Sequence, residues 1–204
     1  MCHVPLITLQ ISSNFVFQKE HIISNSKVFI TQLEQPLEAA ITALTLAKKH
    51  KVLTILNPAP APNTTLPENL YPLCDFITPN EIEAEHLTGI RVYSEASAKI
   101  AAKRLESMGV KNIAITLGDK GVYFHNSIIS KIIPAFKVKK VLETTGAGDA
   151  FNGSLAAALS RGETYVDSVL IGCATASISV TRYGTSEAMP SLEEVQKLIE
   201  SKNN

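Results

Sequence analysis

The sequence predicts an α/β fold, a mostly parallel sheet with helices on both faces, and three observations carry that prediction. Short β-rich runs alternate with longer segments of helical period. The alternation continues without an internal repeat or a low-complexity linker. At 204 residues the chain is long enough for one substantial core and short for two domains of ordinary size, so one domain is expected.

In chain order, VFIT (28–31) and VLTIL (52–56) read as buried strands. Between them a helical pattern from Leu37 to His50 places apolar residues at Ile41, Leu44 and Leu46, which completes a βαβ unit. FIT (76–78) is a third short strand leading into a helix from about Asn80. A further helix from about Ser94 to Met108 precedes the strand IAITL (113–117). VYFH (122–125) and the run 128–133 read as antiparallel strands, and Ala147 to Leu159 opens the alanine-rich C-terminal helices. Parallel strands need right-handed crossovers, and open α/β sheets bind ligands beyond the carboxyl ends of their strands. The loops after strands are therefore where function is sought.

Composition narrows the partners. Lys and Arg number 19 and so do Asp and Glu, with no basic run longer than a pair, so no footprint for nucleic acid or an anionic membrane is present. A small-molecule partner fits better. Cys2, Cys74 and Cys173 are far apart and outside any CxxC spacing, which argues against a zinc site or a disulfide framework and points to the reducing cytoplasm, with the nucleus as the alternative. Gln10, Ser12, Ser13 and Asn14 interrupt the apolar N-terminus, no basic n-region or cleavage pattern accompanies it, and no apolar run reaches transmembrane length.

TTGAGDAFNG (144–153) holds the chemistry. Gly146 and Gly148 let the backbone turn tightly, and a helix starting near Ala147 aims its unpaired amides and the positive end of its dipole at one spot, which attracts an anion. A Walker loop would continue as GK[ST], and a dinucleotide fingerprint would need a third glycine where Phe151 stands. An ionised Asp149 beside a phosphate is repulsive unless the acid serves the other reactant, taking a proton from a hydroxyl that attacks the phosphoryl group. Gly146, Ala147 and Gly148 then form the anion hole and Asp149 is the base. The plainer alternative is close helix–strand packing with Asp149 as a dipole-favoured acid.

Other loops follow strands too. TPNEIEAEHLTG (78–89) presents Asn80, Glu81, Glu83 and Glu85, by itself an ordinary acidic helix start. NPAPAP (57–62) is a stiff turn, QLEQPLEAA (32–40) places Glu34 after a strand, and TLGDKG (116–121) is by itself a hairpin turn with two glycines. VTRYGT (180–185) follows the last long helix, and Cys173 within that helix is by itself a core residue.

Taken together, these stretches resemble the ribokinase-like (PfkB) carbohydrate kinases, from about Ser26 to nearly the C-terminus. The resemblance implies the three-layer ribokinase-like sandwich, with the GAGD turn as anion hole and base. It places Asn80 near the phosphates and Glu83 on magnesium through its water shell, an arrangement suited to an ion that keeps several waters. Thr116, Leu117, Gly118, Asp119, Lys120 and Gly121 would carry the phosphates and ribose of ATP, with Gly148 at the phosphates and Cys173 flanking adenine. Glu34 would contact the sugar, as in the QLE turn of ribokinases, which NPAPAP also resembles. Thr145, Ser179, Arg182 and Gly184 would surround a potassium ion together with Glu143. Ribokinases usually place an Asp at the Glu143 position, and the extra methylene shifts the carboxylate by about one bond length, which weakens or rearranges the cation site.

The chain has no GG pair and its first aspartate is Asp75, so the sugar-binding Asp, the GG motif and the β-sheet lid of the longer family members have no counterpart in it. It is therefore expected to be a truncated form: residues 1–25 a divergent segment, and 26–204 the C-terminal, nucleotide-binding part of the kinase domain, lacking the first strands and the lid. Strand 28–31 should then leave an apolar, unpaired sheet edge open to association or homodimer formation, partly covered by a helical stretch near Phe15 to Ile23. The function implied is ATP-dependent phosphorylation of D-ribose to ribose 5-phosphate. The alternatives are a kinase for deoxyribose, fructose or a nucleoside, and an inactive nucleotide-binding chain or partner subunit.

Overall fold

The computed structural model describes residues 10–62 and 64–201, so Cys2 and the start of the 1–25 segment lie outside the described residues. Six strands form one sheet in the order β1-β2-β3-β4-β5-β6. β1 (Val28–Thr31), β2 (Leu53–Leu56), β3 (Phe76–Ile77) and β4 (Asn112–Thr116) run parallel, with Val28 opposite Leu53, Ile55 opposite Phe76 and Ile77 opposite Ile113. β5 (Val122–His125) and β6 (Ser130–Ile133) are adjacent strands joined by only four residues, a link that antiparallel neighbours alone can make. The sheet is mixed and the class is α/β, as the alternation predicts.

The chain divides into two compact units. One runs up to Thr116 and includes His125–Ser130; the other comprises Leu117–Phe124 and the chain from Lys131 onward.

In the first unit the helices are α1 (Ser13–Gln18), α2 (Glu20–Ser24), α3 (Leu37–Lys49), α4 (Glu81–Thr88) and α5 (Glu95–Ser107). Alanines at 39, 40, 43 and 47 with Leu44 and Leu46 make the buried face of α3, where Leu44 is fully enclosed. α1 starts where Ser12 accepts the Phe15 N–H, the usual role of a serine at a helix N-cap. The two short helices seat Val16 and Ile23 against Ala39, Ala43, Leu46 and Ala47, with Phe29 of β1 packed on the same cluster. The stretch near Phe15 to Ile23 is thus helical as predicted; it packs mainly on α3 and reaches the edge strand only through Phe29. The reason is physical: its apolar side chains match the Ala/Leu stripe of α3, whereas a strand edge offers polar N–H and C=O groups that a helix cannot pair. β1 remains a terminal strand among the described residues, with Ile30 37% exposed.

Two polar ties lock this unit. Asp75, just before β3, accepts Lys48 Nζ at 2.7 Å and Lys111 Nζ at 3.1 Å on Oδ1, and the Thr54 N–H and hydroxyl at 3.2 and 3.1 Å on Oδ2. Buried His125 lies 2.9 Å from Ser130 Oγ and 3.0 Å from Glu106 Oε2, which links the β5–β6 hairpin to α5.

The second unit holds α6 (Ala147–Arg161), α7 (Tyr165–Ser179) and α8 (Leu192–Glu200). Gly162 ends α6 in the left-handed conformation at φ 89°, and the Thr164 hydroxyl caps α7 two residues later, so the two helices form a tight hairpin. A glycine inside a helix ordinarily costs about 1 kcal/mol relative to alanine. Gly172 is explained by contact: a Cβ there would lie 2.6 Å from the Phe151 ring. The Phe151 of TTGAGDAFNG therefore fixes the helix that bears Asp149. Burial pushes the Cys74 thiol up to about 12, and Cys173 is also buried, so both behave as core residues.

Candidate active site

In the first unit, polar side chains tie together the carboxyl ends of three strands. Gln32 Nε2 donates to Asn57 Oδ1 at 3.1 Å, Asn57 Nδ2 donates to the Thr78 carbonyl at 2.9 Å, and the Leu33 N–H donates to the Ala59 carbonyl at 2.8 Å. The QLE and NPAPAP turns are thereby fastened to each other, and Glu34, within the first of them, is exposed. This network carried no signal in the sequence beyond the polar residue that ends each strand.

Asn80 and Glu83 meet at the start of α4. Asn80 Oδ1 accepts the Glu83 N–H at 2.9 Å, while Glu83 Oε2 accepts the Asn80 N–H at 2.9 Å and Oε1 accepts Asn80 Nδ2 at 3.0 Å. This reciprocal capping box accounts for the NxxE spacing in purely structural terms. Burial penalises the charged form and raises the Glu83 pKa, partly offset by the Asn80 N–H. Glu83 is buried, whereas Asn80, Glu85 and the neighbouring Ile82 are exposed. Each carboxylate oxygen keeps a lone pair beyond its Asn80 bond. A single such carboxylate suits an ion that retains its waters; no cluster of three or more potential metal ligands occurs among the described residues.

In the second unit Gly146 opens α6 at φ 78°, a left-handed conformation favourable only to glycine. The turn closes on itself: the Ala147 N–H donates to the Thr144 carbonyl at 3.2 Å. Gly148 follows with nothing within 4 Å of where a Cβ would stand, so a ligand can approach its backbone. Asp149 occupies the third helical position and is exposed, while Asn152, one turn on, donates to the Gly148 carbonyl at 2.9 Å. Amides, a dipole end and a carboxylate thus stand together on one helical turn.

TLGDKG forms a short 3₁₀ turn over Gly118–Lys120, closed by the Leu117 N–H on the Gly121 carbonyl at 2.8 Å. Gly118, Asp119 and Lys120 are exposed, Leu117 is buried, and Thr116 is half-buried with its N–H on the Pro79 carbonyl at 2.9 Å. The two glycines differ. A Cβ on Gly118 would meet nothing within 4 Å, whereas one on Gly121 would lie 2.2 Å from the Ile133 carbonyl oxygen. Gly121 answers to packing and Gly118 alone to an open face. Cys173 Sγ lies 3.9 Å from that same Ile133 carbonyl oxygen.

The segment 180–185 is fastened to the stretch ahead of the 144–149 turn. The Leu142 and Glu143 N–H groups donate to the Val180 carbonyl at 2.8 and 3.3 Å, and the Gly184 N–H donates to Glu143 Oε2 at 3.0 Å. The Ser179 carbonyl accepts the Arg182 N–H at 3.0 Å, and the Arg182 guanidinium pairs with Glu194. Thr145 is exposed. Beyond this, the Thr185 methyl would lie 3.4 Å from a Cβ on Gly146. Sequence reasoning reached Val180 and Thr185 only as the ends of VTRYGT, and neither their contacts nor the Phe151–Gly172 contact, because nothing in residue type or spacing marks which residues meet.

With this geometry established, the chain belongs to the pfkB family of carbohydrate kinases, whose family model matches residues 8–192. It is 40% identical over 190 residues to the ribokinase of Haemophilus influenzae, a match covering 93% of this chain and 61% of that protein. A deoxyribokinase of Salmonella typhi is 34% identical over 177 residues, covering 87% of this chain and 57% of that protein. Among solved structures, the ribokinase of Arabidopsis thaliana complexed with ribose and ATP superposes with a TM-score of 0.85 at 28% identity, over 90% of this chain and 59% of that one. The chain thus spans about three fifths of the length of these relatives.

Proposed function

We propose that this chain serves ATP-dependent phosphorylation of D-ribose at its primary hydroxyl, yielding ribose 5-phosphate and ADP. The observation that carries the reading is the start of α6: a left-handed Gly146, an open Gly148 backbone and an exposed Asp149 on one helical turn. The 40% identity to a ribokinase supports ribose as the acceptor.

Asp149 takes the proton of the ribose hydroxyl as that oxygen forms its bond to the γ-phosphorus and the bond to the β–γ bridging oxygen breaks. The amides at Gly146 and Gly148, joined by that of Ala147 when it turns from the Thr144 carbonyl to the ligand, stabilise the charge on the transferring group, at the positive end of the α6 dipole. Asn80 and Glu83 would hold magnesium through its water shell; when bound, that ion neutralises charge on the β- and γ-phosphates. The 116–121 loop holds the nucleotide, with Gly118 offering its open backbone, and Glu34 orients the sugar.

A second reading, deoxyribose as the acceptor, is favoured by the 34% identity to a deoxyribokinase. The test is ADP release with magnesium and ATP, comparing ribose, deoxyribose and no sugar, alongside Asp149→Asn. Ribose-dependent release abolished by the substitution is expected. Nucleotide binding without sugar-dependent release would overturn the kinase reading and leave a nucleotide-binding subunit.

A further inference from the structure

We infer that Glu143 fastens the 180–185 segment to the catalytic turn directly, in the place where the family resemblance implies a potassium ion, and that this chain sets that turn without a monovalent cation. A cation cage needs oxygens converging on one point with no N–H among them. Here the Gly184 N–H is aimed at Glu143 Oε2 at 3.0 Å, so the carboxylate meets a donor where a cation would compete for the same oxygen. The Ser179 carbonyl is engaged by the Arg182 N–H at 3.0 Å. Two oxygens of the implied set therefore each already accept a protein donor, and the Glu143 carboxylate is turned toward Gly184 by the bond it accepts.

The side-chain length fits this role. Glu143 lies immediately before Thr144 and Thr145, and its backbone is itself held by the Val180 carbonyl. From that anchor the extra methylene carries the carboxylate out to Gly184. Gly184 sits at φ 88°, a left-handed conformation that favours glycine. The next residue, Thr185, packs beside Gly146, the residue that opens α6. Glu143 is thus a positioning residue: through Gly184 and Thr185 it braces the turn that carries Asp149.

The inference rests on family membership rather than on turnover, so melting reads it even if the chain phosphorylates nothing. The unaltered chain is melted in potassium chloride and in choline chloride at equal ionic strength, with Glu143→Asp and Glu143→Gln in parallel. The unaltered chain should melt at the same temperature in both salts, whereas a cation held at about 100 times its Kd would raise the midpoint by roughly 5–10 °C. Glu143→Asp, too short to reach Gly184, should melt lower in choline and recover in potassium, and its ADP affinity should follow the same salt. Glu143→Gln keeps an oxygen for the Gly184 N–H and should stay insensitive to potassium. Any of three results overturns the inference: a potassium response in the unaltered chain, no loss of stability in Glu143→Asp, or a loss that potassium does not repair. Should Glu143→Asp fail to fold in either salt, the unaltered chain and Glu143→Gln decide, since potassium stabilisation of either one rejects the clasp.

Discussion

Glu83 gives both carboxylate oxygens to Asn80, at 2.9 and 3.0 Å, while Asn80 returns its side-chain oxygen to the Glu83 N–H. The pair is at once a helix cap and the proposed magnesium contact, and one substitution separates the roles. Glu83→Gln keeps the shape but removes a charge that burial disfavours. Because the folded pKa is raised, the stabilising contribution is complete below the ordinary glutamate value of 4.5 and is lost as pH rises through the folded value. At neutral pH this relief is set against one lost Asn80 hydrogen bond, because the new amide nitrogen cannot accept, so the stability of the variant should change by about 1 kcal/mol or less. Its magnesium requirement in nucleotide binding should rise roughly 10–100-fold, the usual cost of disturbing a group that orients metal-bound water. Calorimetric titration of ADP against magnesium checks it; an unchanged requirement would remove Glu83 from the site.

Asp75 behaves in the opposite sense. Burial raises its pKa, but the ammonium groups of Lys48 and Lys111 and the Thr54 N–H outweigh that and leave it below the ordinary aspartate value of 3.8. A lowered folded pKa gives stability that is present above 3.8 and lost as pH falls through the folded value. Asp75→Asn should cost about 1.5–3 kcal/mol at neutral pH, the range for hydrogen bonds to charged groups. That difference should vanish in strong acid, where the unaltered chain is protonated as well. Urea unfolding of both proteins across the acid range tests this, and a difference that persists in acid would assign the cost to packing instead.

Most of the fold was legible because its signals are local. VFIT and VYFH are strands over the very residues read from the sequence, and the helix predicted to start near Ala147 does so. The 146–149 turn was legible for the same reason: a left-handed position, an open backbone and an acid can all be read from G, A, G and D in series. What escaped depends on contacts between distant residues. The Asn57 bridge between Gln32 and Thr78, and the Thr185 methyl beside Gly146, join residues 21 to 39 positions apart that no periodicity links. The α1–α2 pair was legible as helix but not in its place, since an apolar stripe shows that a partner exists and not which one.

Gly146 and Gly148, two residues apart, should respond differently to the same added methyl. Gly146→Ala forces a left-handed alanine at φ 78° and brings it within 3.4 Å of Thr185, so a loss of about 1–2 kcal/mol is expected together with loss of turnover. Gly148→Ala meets nothing within 4 Å and lies inside a helix, where alanine is preferred by up to about 1 kcal/mol. It should melt as high as the unaltered chain or higher, yet lose phosphoryl transfer, because the methyl occupies the space in which an anion would approach the amide. Equal turnover in Gly148→Ala and the unaltered chain would show that the open backbone there does not face the transferring group.

The same comparison divides the 116–121 loop. Gly118 and Gly121 both have positive φ, 58° and 102°, yet only Gly121 is walled in, by the Ile133 carbonyl oxygen at 2.2 Å and the Ala135 nitrogen at 2.5 Å from a built Cβ. Backbone atoms cannot swing aside as a side-chain tip can, so Gly121→Ala must displace the chain that follows β6. A cost above about 3 kcal/mol is expected, at the severe end for a single substitution. Gly118→Ala pays only the left-handed strain of about 1–2 kcal/mol and should fold. Because its methyl points into open space on the proposed nucleotide face, its signature should be weakened ATP binding, read by titration well below its melting temperature. If Gly118→Ala binds ATP as the unaltered chain does, the exposed face of this turn is not where the nucleotide lies, and the loop is the plain connection between β4 and β5 that its sequence also permits.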